Sequence, residues 1–145
     1  MLSLELNASA VKSFMGQLLR DGIFSEFDMR TAELLTQIRI TIDGGTETGY
    51  ASWESIRSLV YTIIKEGAKP RYIKIIFSLN VEQSAQIHPN AAALFLNLVY
   101  ENDTVTFTTA SAQKEFALDK TLDIAWDEWM SAFFAKKNLP VAKRE

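Results

Sequence analysis

Residues 92–119, AALFLNLVYENDTVTFTTASAQKEFALD, constrain the fold more than any other part of this 145-residue chain. Aromatic and β-branched side chains dominate the stretch, and such residues fit a pleated, half-buried strand better than a helix. It reads as a strand from about residue 92 to residue 100 and a tight turn at Asn102 and Asp103. A second strand follows with Val105 and Phe107 inward, then a third around residues 114–118. This is an antiparallel meander, and its apolar face needs a second layer packed against it.

Three amphipathic helices supply that layer. In LDIAWDEWMSAFFAKK, residues 122–137, the side chains of Leu122, Trp126, Trp129, Met130, Phe133 and Phe134 recur at spacings that fall on one face of a helix. Asp119 is placed to cap it, and Lys136 and Lys137 suit its negative end. Val11, Phe14, Met15, Leu18 and Leu19 predict a helix between a cap at Asn7 or Ser9 and a stop at Gly22. Trp53, Ile56, Leu59, Val60, Ile63 and Ile64 predict another, capped by Ser52 and closed by Gly67. NVEQSAQI, residues 80–87, has room only for a short helix.

Further strands are expected at residues 2–6 (LSLEL) and 71–79 (RYIKIIFSL). A hairpin joins a weaker strand around residues 27–34 to the alternation of Ile38, Ile40 and Ile42. No linker rich in Gly, Pro or Ser divides the chain, so residues 1–145 are read as one α+β domain with mainly antiparallel sheet. Residues 136–145 are read as a frayed polar tail. The element order βαββα followed by βαβββα has the look of an internal duplication.

Composition removes several chemistries. The chain has no cysteine, which excludes disulfides, thiolate catalysis and Cys-ligated metal centres. A formal charge of −3 provides no broad positive field, so nucleic-acid binding is disfavoured. Glu5, Asn7 and Lys12 interrupt the N-terminal apolar residues, which therefore do not read as a signal peptide, and no run approaches the length of a membrane span. A soluble cytoplasmic protein is the expectation.

The remaining motifs are weak ones. Asp127 and Glu128 lie about 100° and 200° around the helix from Trp126, so both are expected to face water. General acid–base catalysis needs two carboxyl groups that converge, one of them in an apolar setting. His88 is the single histidine, and without a second one a zinc site lacks ligands. DGGTETGY, residues 43–50, lacks the lysine and hydroxyl residue of a phosphate loop and reads as a loop before a capped helix. YENDTVTFTT, residues 100–109, reads either as an open sheet edge able to take a partner strand or as a covered one. No residue is assigned a catalytic, cofactor-binding or metal-binding role, and no cofactor is expected; the surface candidates are His88, Glu101, Asp103 and Asp119.

LFLNLVYENDTVTFTT and FALDKTLDIAWDEW, together with VKSFMGQLL and the WESIRSLVYTIIK helix, resemble an uncharacterised family of Firmicutes proteins, DUF5721. The resemblance spans nearly the whole chain and implies a small cytoplasmic bacterial protein with no catalytic residues to carry over. A weaker similarity is to DNA sliding-clamp domains, which are built from duplicated βαβββ units. In that comparison the Trp53 helix stands where the first unit has its last strand, and the exposed candidates of the short helix, Glu82, Gln83 and Gln86, include no base.

Two functions of different class follow. The first is a non-enzymatic interaction module that meets a protein partner, or itself, through a sheet edge or an apolar patch. The second is a small-molecule enzyme or binder in which Asp43, Glu101, Asp103 and Asp119 converge in a cleft. Clamp-like association with nucleic acid ranks third.

Overall fold

The computed structural model describes residues 1–144. In chain order the elements are β1 (Ser3–Leu6), α1 (Val11–Gly16), β2 (Asp28–Leu35), β3 (Arg39–Asp43), α2 (Trp53–Glu66) and β4 (Tyr72–Ser78). They continue with α3 (Val81–Ile87), β5 (Ala91–Glu101), β6 (Thr104–Gln113), α4 (Thr121–Lys136) and β7 (Val141–Lys143). All seven strands of the described residues lie in one antiparallel sheet of order β3-β2-β4-β5-β6-β1-β7. The α+β class holds, with four α-helices among the described residues: the three amphipathic ones and α3, the short helix expected at residues 80–87. None of them is long and apolar enough to cross a membrane.

Alternation decides which face the helices cover. Ile73, Ile75 and Phe77 of β4, Leu94, Leu96 and Leu98 of β5, and Val105 and Phe107 of β6 are all buried on one side. The register brings them into rows, with Ile75 beside Leu98 and Leu98 beside Phe107. The opposite face carries Glu33, Lys74, Val99, Thr106 and Glu5 in one cross-strand row and stays partly open to water. Asn102 and Asp103 have φ of 53° and 58°, the two positive values that a two-residue hairpin turn requires.

Aromatic rings fill the layer between sheet and helices. Phe24 stacks on Phe77 at 5.0 Å and on Phe133 at 5.4 Å, while Phe107 meets Phe14 of α1 and Phe134 of α4 at 5.6 and 4.9 Å. Trp126 donates its indole N–H to the Phe95 carbonyl at 2.9 Å, so a buried polar group is satisfied inside the seam. The first helix is tighter and looser in turn than its periodicity predicts. It runs from a 3-10 turn (Ala8–Ala10) through α1 to a π turn (Gln17–Asp21), and it stops at Gly22, whose φ of 69° suits glycine.

Three expectations are corrected. Residues 114–118 are not a strand, because β1 occupies the edge of β6 on which a third meander strand would have to pair. Of the two readings left open for residues 100–109, the covered one holds for the same reason; the edges of the described sheet are β3 and β7. Up to Arg144 the tail is not frayed, since β7 pairs with β1 and the Asn7 N–H donates to the Pro140 carbonyl at 2.8 Å; Glu145 lies outside the described residues. The duplication does not extend into space: both halves run βαββα, but β4 pairs with β5 of its own half, whereas β1 pairs with β6 of the other. Neither half forms a βαβββ unit.

Candidate functional site

The loop of residues 114–120, between β6 and α4, is where this surface departs most from burial of apolar groups. Phe116 and Leu118 are 85% and 84% exposed, although either would gain about 1.5–3 kcal/mol if buried. The loop is nevertheless held. Asn90, just before β5, donates from Nδ2 to the Glu115 carbonyl at 2.9 Å and accepts from the Glu115 N–H at 3.0 Å. Gln113 repeats the device two residues on, donating to the Ala117 carbonyl at 3.2 Å and accepting from its N–H at 3.1 Å. Two side-chain amides thus take the place of the missing neighbour strand, and the alternation at 116 and 118 turns outward.

The foot of the loop is fixed by a polar chain. Asp119 Oδ1 accepts from the Thr121 N–H at 3.1 Å and from its hydroxyl at 2.6 Å, so Asp119 caps α4 from two residues before its start. Those two bonds hold the Asp119 carboxyl below the ordinary carboxylate range. His88 Nδ1 accepts from the Asn90 N–H at 3.0 Å, which leaves the proton of the neutral ring on Nε2, 3.0 Å from Thr121 Oγ1. The ring therefore donates to Thr121, and Thr121 donates to Asp119. A histidine that is to activate a hydroxyl must accept from it, so the chain runs in the wrong sense for nucleophilic catalysis and fixes the loop instead.

Asp127, which helical phase assigns to water, turns back to β6, and Asp123 does the same. Ser111 donates to Asp123 Oδ1 at 2.5 Å and Thr109 to Asp127 Oδ1 at 2.6 Å; the Met1 amine lies 3.5 Å from Asp127. Glu128 is exposed. Met1, Ser111, Phe116, Asp123 and Trp126 line a shallow depression of 430 Å³ beside the loop.

Glu101 and Asp103 stand at the far end of the β5–β6 hairpin. Tyr100 donates its hydroxyl to Asp103 Oδ1 at 2.9 Å, and Lys69 Nζ lies 3.4 Å from the same oxygen. The phenol and the lysine hold the Asp103 carboxyl down, while burial and then Asp103 push the Tyr100 phenol up. Beside this pair is a groove of 520 Å³ lined by Val11, Met15, Leu19, Ile64, Ile73 and Tyr100, with Lys12 and Lys69 on its rim. Glu101 is exposed at the strand end. Asp43, on the edge strand β3, accepts from the Gly45 N–H at 2.8 Å. The structure thus joins His88 to Asp119 through Thr121 but disperses Asp43, Asp103 and Asp119, and no group of three His, Asp or Glu among the described residues is placed to hold a metal ion.

A model of a family of unknown function, DUF5721, matches residues 17–142. The chain belongs to the DUF5721 family. No curated protein and no solved structure matches it. In this DUF5721 chain the matched segment contains the loop, both amide clamps and the groove wall from Leu19 to Tyr100, while Val11, Lys12 and Met15 precede it. Sequence reasoning missed Phe116, Leu118, Asn90 and Gln113 as site residues. A signal was available, since KEFALDK encloses two large apolar residues between charges on both sides and is short for a buried strand.

Proposed function

We propose that this DUF5721 protein is an interaction module whose binding element is the clamped loop carrying Phe116 and Leu118. The observation that carries the reading is the near-complete exposure of two large apolar side chains on a backbone already fixed by four side-chain amide hydrogen bonds. Ordering a loop at binding costs about 1–2 kcal/mol per residue, and a loop ordered beforehand spares most of that cost. The pair then acts as an anchor that gains by entering an apolar recess on a partner. The dispersal of the carboxylates favours this reading over a catalytic cleft.

The test places a photo-crosslinking phenylalanine analogue at position 116 in the producing cells. A discrete protein adduct is expected, lost when Leu118→Asp or Asn90→Ala is added. The same analogue at Leu59, a half-exposed apolar residue of α2, is the control. Adducts at 116 no more specific than those at 59 would overturn the reading.

A further inference from the structure

We infer that the loop of one copy seats in the groove beside Tyr100 of a second copy, so that the protein assembles head to tail. The inference rests on the reading of the loop as a binding element and names its occupant. The two surfaces match in character. The loop offers Phe116 and Leu118 with Glu115 next to them, and Glu115 has no ion-pair partner among the described residues. The groove offers an apolar floor and, on its α1 wall, Lys12, which likewise has none. Lys114 and Lys120 stand at the feet of the loop, outside the tip formed by residues 115–118. At 520 Å³ the groove is in the size range that accepts compact apolar ligands.

Placement excludes the loop of the same copy. Asn90 and Gln113 hold the loop at one end of the β5–β6 hairpin, and Tyr100 and Asp103 border the groove at the other. Eleven residues of β5 separate the two ends, about 35 Å at roughly 3.3 Å per residue. A loop pinned at its own end cannot reach its own groove. Donor and acceptor are different surfaces at opposite poles, so the contact is heterologous and propagates into rings or open chains instead of stopping at a symmetric dimer.

Sedimentation velocity on the full chain tests this from micromolar to near-millimolar concentration. The weight-average mass is expected to rise past two chains, while Phe116→Asp and Ile64→Asp each remain monomeric. Their equimolar mixture is the decisive sample. One copy keeps only a working groove and the other only a working loop, so the mixture forms a pair and nothing larger. Should Ile64→Asp fail to fold, Lys12→Glu, an exposed change, takes its place; it weakens assembly, and Glu115→Lys on the partner copy restores it. A wild-type chain that stays monomeric throughout, or a mixture that does not pair, overturns the inference. Crosslinks from position 116 to a different protein beside a monomeric wild type would sink self-association alone; absence of both would sink the interaction reading as well.

Discussion

Replacing Phe24 tests whether the aromatic layer is the structural centre on which the loop and groove both depend. Phe24 is fully buried in an irregular turn between the π turn and β2. Its ring lies within 24° of parallel to Phe77 and 20° to Phe133, and meets Phe14 and Phe27 edge-on at 6.0 and 5.7 Å. Phe24→Ala removes the whole ring from a site walled by four elements, and a cost of about 4–5 kcal/mol is expected, the upper part of the range for such truncations. Phe24→Leu keeps most of the apolar volume but loses two stacked pairs worth about 0.5–1.5 kcal/mol each, giving about 2 kcal/mol. With a urea m-value of about 2 kcal/mol per molar, the midpoints fall by roughly 2 M and 1 M. Phe116→Ala, the same residue type in water, should stay within about 0.5 kcal/mol of wild type. A leucine variant indistinguishable from wild type would refute the stacking contribution. An alanine variant costing less than about 2 kcal/mol would refute the central role of the cluster.

Asn90→Ala removes both bonds to Glu115, and cleavage by chymotrypsin after Phe116 should then quicken by an order of magnitude or more while global stability falls by only about 1–2 kcal/mol. An unchanged cleavage rate in limited proteolysis would show that something else orders the loop. Hydrogen bonds from Arg57 and then Ser25 hold the Glu54 carboxyl down at about 2, below the ordinary 4.5. Because the folded value is the lower one, this interaction stabilises fully above pH 4.5 and is lost as pH falls towards 2. Carbon-detected NMR titration should place the midpoint near 2 in the wild type and higher in Arg57→Ala, where the hydrogen bond from Ser25 remains. Thermal melting between those two pH values should depend less on acid in Glu54→Gln than in the wild type, and equal dependence would count against the assignment.

What the sequence displayed and what it hid divide along a physical line. The seam of α4 was legible because Leu122, Trp126, Met130, Phe133 and Phe134 follow the period of the helix itself, which needs no knowledge of distant residues; all five are buried. The β5–β6 turn was legible because Asn102 and Asp103 tolerate positive φ. Phe24 gave no signal, for it sits in no periodic element and owes its burial to rings brought from β4 and α4. Asp127 was assigned to water by phase alone, which reports an angle and cannot report that Thr109 lies alongside. The pairing of β7 with β1, and the link from His88 to Asp119 through Thr121, join residues that only tertiary folding brings together.

The loop shows where local pattern and packing part company. Alternation of apolar residues at 116 and 118 satisfies the rule for a half-buried strand, yet a strand also needs a free edge, and the chain's own β1 has taken the edge of β6. With that edge taken, the backbone of residues 115 and 117 is satisfied by Asn90 and Gln113, and the side chains that would have faced a core face water. Two polar side chains committed to holding an apolar tip in solvent make no sense as a means of folding, since they fix a conformation whose exposure costs free energy and which a polar loop could reach without it. They make sense if the exposure has a purpose. A place where every local rule is met and the global one is broken is where function is expected to reside, and here that place is Phe116 and Leu118.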